Sequence, residues 1–390
     1  MKGLFRQKGA QLDINILASD EAQEFITTHA GILDGGFQKV EMSDKMRERL
    51  TRSNYIFSGI KTFHELNEAF PSMLDENGNK KPFERFLNDV QKINDTYNAN
   101  YLHAEYNFVQ ASATMAAKWE QFSEDGDRYN LQYRTAKDDK VRPEHAALDG
   151  VTLPMSDSFW ETYYPPNGWN CRCTVVQVRK QKYPATEHTE AMSRGEEAMN
   201  GERYNIFRFN SGKQGKTMPD YNPYTIRRCN DCDVAKGKLK LGFVPDYQLC
   251  QGCVMIRKCS EDRNRDNSAK ATKKSPEVKK LQGTTISNPD FNHEVLVTGG
   301  SIREWTNQPH KDYAAKNSIL KHIAKVFREA NYIGVVDNFK QKPGVIQSHL
   351  FETTVLGDVS WIVIREYDDG RFILHSLSDG DRIKTGIRKE

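Results

Sequence analysis

The chain is 390 residues long, so at roughly 150 residues per domain it is expected to hold two or three domains in series. Hydrophobic residues make up 37% and charged residues 28%, which allows buried cores joined by polar connections. The formal net charge of +3 excludes a bulk polycation that coats nucleic acid or a membrane surface, so any nucleic-acid contact must be local.

The opening MKGLFRQKGAQLDINILASDEAQEF has early basic residues but no continuous apolar stretch, and nowhere do about 18 apolar residues run together. Neither an export signal nor a membrane span is expected. From Pro82 to about Phe122, apolar residues recur at three- and four-residue intervals: Phe83, Phe86, Val90, Ile93 and Tyr97, then Phe108, Met115, Trp119 and Phe122. That is helical periodicity, with Pro82 suited to a first turn. Residues 1–125 are therefore expected to form a helical N-terminal region. The run EDGD at 124–127 breaks it, and RYNLQYRTA reads as a strand. A compact, turn-rich α+β unit is expected over 126–180, closing with the strand-like TVVQVRK.

Between 181 and 225 no period is sustained, which predicts an extended arm or insert. A cysteine-bearing module follows at 226–262, then a charged linker at 263–284. Residues 285–390 read as a separate α+β domain. Ile319, Leu320, Ile323, Val326, Phe327 and Ala330 mark a helix face, and YIGVV, HLFETTVLG, SWIVIREY and RFILHSLS read as strands. The DDG between the last two predicts a hairpin. The fold class is thus α+β multidomain: a helical N-terminal region, a small turn-rich α+β domain, a zinc-knuckle insert, and a C-terminal helix plus antiparallel sheet.

All seven cysteines lie between positions 171 and 259. Without a secretory signal, close pairs favour metal ligation and a reducing compartment over disulfides. Cys229 and Cys232, then Cys250 and Cys253, make two C-x-x-C knuckles seventeen residues apart. This spacing suits one tetrahedral, closed and structural zinc site, leaving Cys259 spare. His145, Cys171 and Cys173 could ligate a second ion, with Asp149 as an oxygen donor for the fourth place. The alternative is that Cys171 and Cys173 point to opposite faces of a strand while His145 only hydrogen-bonds a loop. The basic residues around the knuckles, Arg257 and Lys258 among them, suit nucleic-acid contact or a solvated face.

The run from Tyr133 to Val178 contains Tyr133 and Arg134 ahead of an acidic pair, Asp138 and Asp139. It continues with RPEHAALDG at 142–150, an acidic-aromatic step at Asp157, Phe159 and Trp160, and PPNGWNCRC at 165–173. This segment resembles the phage Mu F-like head morphogenesis family. The resemblance covers strongly about 50 of the 390 residues. It implies a minor head protein acting in capsid assembly at or near the portal, with portal and capsid proteins as partners. Its place would be the virion, and the host cytoplasm during assembly.

The C-terminal hundred residues resemble the small phage nuclease-like domains grouped with barnase, EndoU, colicin and RelE ribonucleases. That resemblance implies RNA as a further partner, and an immunity protein if the chain is a prophage toxin. A metal-independent ribonuclease needs a base, an acid and a cation at the phosphate. His310 and His375 would supply acid and base, with His349 in reserve and Arg365 or Lys316 at the phosphate. Against this, alternation puts His375 on the face of Ile373 and Leu377, where a core histidine is common. A toxin using the head domain as its carrier, and a structural head protein with an inactive C-terminal domain, both remain open at this point.

Overall fold

The computed structural model describes residues 1–7, 12–220, 222–224, 250–338, 341–355 and 358–388. The chain divides into two compact units, Met1–Ser260 and Glu261–Glu390, and the fold is mixed α and β.

In the first unit, helices α1 (Asp20–Gly35), α2 (Asp44–Ala69), α3 (Phe83–Asp95) and α4 (Leu102–Asp125) enclose a common core. Ser19 and Ser43 cap α1 and α2 by accepting the amide protons of Ala22 and Met46, which satisfies donors that a helix start leaves orphaned. The Ser43 hydroxyl also donates to Glu120 on α4, at 2.5 Å. α3 buries only Phe86 and Val90, as expected for a surface helix. α2 is buried around most of its circumference, including polar Asn54, Lys61, His64 and Glu65. Gly126, with φ of 52°, turns the chain out of α4.

Strands β1 (Asn130–Arg134), β2 (Thr152–Pro154) and β3 (Thr174–Val178) then form an antiparallel sheet in the order β2-β1-β3. Residues 181–225, read from sequence as an arm, instead pack onto the helical core as far as they are described. Helix α5 (His188–Ala198) and a 3-10 turn over Glu202–Phe207 bring Tyr204, Ile206, Phe207 and Phe209 into it. Gly195 passes so close to the Tyr163 ring that an added Cβ would lie 2.5 Å from it. Helix α6 (Gln251–Lys274) runs through much of what reads as a charged linker, and its composition explains this: Lys, Arg, Glu and Ala have good helix propensity even without an apolar face. Among the described residues, no helix is long and apolar enough to cross a membrane.

The second unit is a six-stranded sheet of β4 (Thr285–Asn288), β5 (Phe291–Leu296), β6 (Asn331–Asp337), β7 (Val345–Val355), β8 (Asp358–Tyr367) and β9 (Phe372–Ser378). The order is β4-β5-β9-β8-β7-β6, with β5 and β9 parallel and the other pairs antiparallel. Helices α7 (Gly299–Asn307), α8 (Tyr313–Ile319) and α9 (Ile323–Glu329) fill the crossover, and Trp305, Ile323 and Phe327 join Phe351, Ile362, Ile364, Leu374 and Leu377 in one core. A smaller cluster of Val336, Leu350 and Val363 is met by Ile383 and Ile387. A capping box between Thr298 and Ser301 starts α7. The DDG turn is a tight hairpin as the sequence predicts, with Gly370 at φ of 79° donating its amide proton to the Tyr367 carbonyl.

Candidate functional site

The segment 133–178 is built around β1. Tyr133 is fully buried and its hydroxyl donates to Asn167 at 2.8 Å. Asp149 accepts from the Thr135 amide at 2.8 Å and lies 3.4 Å from the Lys137 ammonium. Arg142 donates to the Trp169 carbonyl at 2.7 Å, and Arg172 grips Asp138 through both carboxylate oxygens. Asp157 caps the turn into Phe159, and Trp160 donates its indole proton to the Pro154 carbonyl. Trp169 stacks edge-on against Phe108 of α4, and the Tyr164 hydroxyl donates to the Met115 carbonyl, so both aromatics tie the loops to the helical core. The Pro165–Pro166 peptide bond is cis.

His145, Cys171 and Cys173 meet at the end of this sheet, their ligand atoms within 4.8 Å of one another. His145 sits on a short helix, Pro143–Ala146. Asn170, with φ of 56°, bends the chain just before Cys171, so both sulfurs reach the histidine from the turn ahead of β3. Each Sγ is 3.7 Å from His145 Nδ1, which replaces the expectation of opposite strand faces. A hydrogen bond from Cys173, joined by the contact with His145, pulls Cys171 well below its ordinary value against the effect of burial; the same interaction and burial push Cys173 up. Asp149, engaged with Thr135 and Lys137, is not part of the cluster.

Of the four-cysteine module, Cys229 and Cys232 lie outside the described residues. Cys250 and Cys253 sit at the start of α6 with their sulfurs 3.5 Å apart. The five described cysteines form no disulfide.

Of the five candidate residues of the C-terminal unit, His310 and Lys316 lie near one another, but His310 and His349 sit at different ends of β8. His310 is buried, accepts the Asp312 amide proton at Nδ1 and faces the Ser360 hydroxyl through Nε2. Burial pushes its pKa down. His349 is buried between the Tyr332 hydroxyl on Nδ1 and Glu366 on Nε2, both at 3.0 Å. Ser360 and Glu366 are six residues apart on β8, about 20 Å along a strand, whereas proton-transfer partners work at hydrogen-bond distance from one substrate. Arg365 neighbours Glu366 and, by strand alternation, faces the other side. Lys316 is fully buried and donates to the Trp305 and Gln308 carbonyls, closing the end of α7. His375 is half-buried at a bulge between the Val363–Ser376 and Ile364–Leu374 pairs. The bulge breaks the alternation used in the sequence reading, which is why Leu374 and Leu377 share one core.

A second buried constellation had no signal in the sequence. In the helical core, Lys61 Nζ lies 2.6 Å from Glu105 and 3.0 Å from His29, and Tyr224 donates to the same carboxylate. These residues come from α1, α2, α4 and a segment a hundred residues further on, so no local spacing could have joined them.

The architecture is therefore a two-unit α+β protein whose first unit carries a small sheet with a His-Cys-Cys corner. Residues 76–176 match the family described as Phage Mu protein F like protein. The chain is similar to the putative capsid assembly protein F of Escherichia phage Mu, 29% identical over 284 residues that cover 66% of this chain and 61% of that protein. It is also similar to the Mu-like prophage FluMu F protein of Haemophilus influenzae, 32% identical over 102 residues that cover 26% of this chain and 22% of that protein. The chain thus spans less than two thirds of either relative. Together these matches support the Mu F-like family.

Residues 264–374 match a different family, Large polyvalent protein-associated domain 3. This match does not support the nuclease-like resemblance drawn for the C-terminal unit, nor the expectations of RNA and an immunity protein that hung on it. No solved structure matches the chain.

Proposed function

We propose that this chain is a Mu F-like head morphogenesis protein that acts in phage capsid assembly. The observation that carries the reading is the coincidence of three things on one stretch. Residues 133–173 hold the ordered motif, form the connections of the three-stranded sheet with their aromatic ties to the helical core, and fall within the matched family segment. The name of the phage Mu relative, a putative capsid assembly protein, supports the role. On this reading its partners are portal and capsid proteins, and its place is the virion head or portal region after assembly in the host cytoplasm.

The four cysteines Cys229, Cys232, Cys250 and Cys253 would hold a structural zinc, supported by their spacing. No enzymatic step is assigned to the C-terminal unit, where His310, Lys316 and His349 are each engaged in structural contacts.

The test is deletion of the gene in a phage or inducible prophage that carries it, with particles counted by electron microscopy. Loss of DNA-filled heads, restored by the wild-type gene in trans, is expected, together with recovery of the protein in purified heads. Normal heads in normal number from the deletion would overturn the reading.

A further inference from the structure

We propose that His145, Cys171 and Cys173 bind a soft divalent metal ion of the zinc type, with a fourth coordination place filled by water from the adjoining cavity. A tetrahedral ion with a metal–sulfur distance of about 2.3 Å and a metal–nitrogen distance of about 2.0 Å sets nitrogen and sulfur about 3.5 Å apart. Both sulfurs lie 3.7 Å from Nδ1. The equality matters as much as the value, since a single hydrogen bond would draw one sulfur close and leave the other.

The histidine itself asks for a ligand. It is 2% exposed, its Nε2 has no hydrogen-bond partner among the described residues, and its Nδ1 meets only the two distant sulfurs. A buried imidazole with neither nitrogen in a short hydrogen bond is costly, and coordination at Nδ1 would engage the nitrogen that faces the cysteines. Two thiolates would balance the charge of a divalent ion, leaving the site neutral.

No fourth protein ligand joins the cluster, and Asp149 is engaged elsewhere. A cavity of about 270 Å³ reaches the three ligands and is rimmed by Lys140, Arg142 and Arg172. It has room for water, and its cations suit an oxygen donor that carries negative charge once bound. The ion would join the Pro143–Ala146 turn to the segment entering β3, two pieces of chain that are otherwise linked by the Arg142 to Trp169 hydrogen bond. This inference stands apart from the head-assembly reading and does not need it.

The test uses the full chain purified from zinc-supplemented cells. Metal content is measured for wild type, for Cys171→Ser and Cys173→Ser, and for Cys250→Ser as a separate control on the knuckle cysteines. Loss of one metal equivalent per chain is expected in each of the first two variants, and it should add to any loss in Cys250→Ser when the substitutions are combined. Cobalt-substituted wild type should show thiolate charge-transfer absorption that falls in Cys171→Ser.

Because the variants could misfold, alkylation of the wild-type chain is mapped by peptide mass with and without a chelator. Cys171 and Cys173 should react only after the metal is removed. Unchanged metal content in the variants, identical alkylation with and without chelator, or a disulfide joining the two cysteines would each overturn the proposal.

Discussion

Lys61 is the clearest case of a residue whose role depends on where four segments meet. Its ammonium is buried against Glu105 and His29, and Tyr224 donates to the same carboxylate. Burial alone would raise the pKa of Glu105, but the nearby His29 imidazole, the Lys61 charge and the hydrogen bonds from Lys61 and Tyr224 outweigh it and hold the carboxyl below its usual value. Lys61→Met strands a buried charge, so it should destabilise the first unit by about 3–5 kcal/mol in urea unfolding. The double variant Lys61→Met with Glu105→Leu should lose less than the single one, and an equal or greater loss would speak against charge as the cause. Lys316 supplies a second expectation. Burial lowers its pKa from 10.5 to about 8. The unfolded chain then holds this proton over the interval in which the folded chain has released it, so stability should rise with pH between about 8 and 10.5. Below that interval both states are protonated and the full cost of the buried charge applies. NMR of labelled lysine side chains should find one that titrates near pH 8 and disappears in Lys316→Met. The sequence marked Lys316 as a cation in a histidine-bearing domain, but only the fold shows it occupied with two carbonyls.

At the scale of elements, periodicity revealed what was periodic. α3 and α4 follow the three- and four-residue spacing of Phe83 to Phe122, and β6 to β9 follow the apolar runs read as strands. What escaped was aperiodic or short. Tyr204, Ile206, Phe207 and Phe209 enter the core from a 3-10 turn with neither helical nor strand rhythm, and β4 buries only Ile286 and Asn288 of its four residues. The corner of His145, Cys171 and Cys173 was legible because its spacing is short and its chemistry distinctive. The Lys61 network was not, because charged residues on a helix ordinarily face water. Strand β6 carries a testable detail. Gly334 has φ of 132°, and a Cβ there would lie 2.2 Å from the carbonyl oxygen of Arg388, a residue that forms an isolated antiparallel bridge with Val335. Gly334→Ala should cost at least about 1–3 kcal/mol by overpacking and should free the C-terminal segment to exchange its amide protons. Gly370→Ala, with a positive φ but open space around it, should cost only about 1–2 kcal/mol from backbone conformation.

For the whole molecule, the division at Ser260 predicts two separable cooperative units. Each has its own apolar core, one formed by α1 to α5 with the small sheet and the other by the six-stranded sheet with its crossover helices. Calorimetry should therefore resolve two unfolding transitions. Lys61→Met should lower one and Gly334→Ala the other, and a single transition moved by both substitutions would mean that the units melt as one.

The position of β9 has a bearing on how the protein is made. β9 comes last of the six strands from the ribosome yet lies third in the sheet, between β5 and β8. Until residue 378 has emerged, the β4–β5 hairpin and the β6–β7–β8 meander have no strand to join them, and each presents an open edge. The six-stranded sheet can then close only after β9 has emerged. Nascent chains paused before that strand present two open sheet edges, and so are exposed to aggregation and to chaperones.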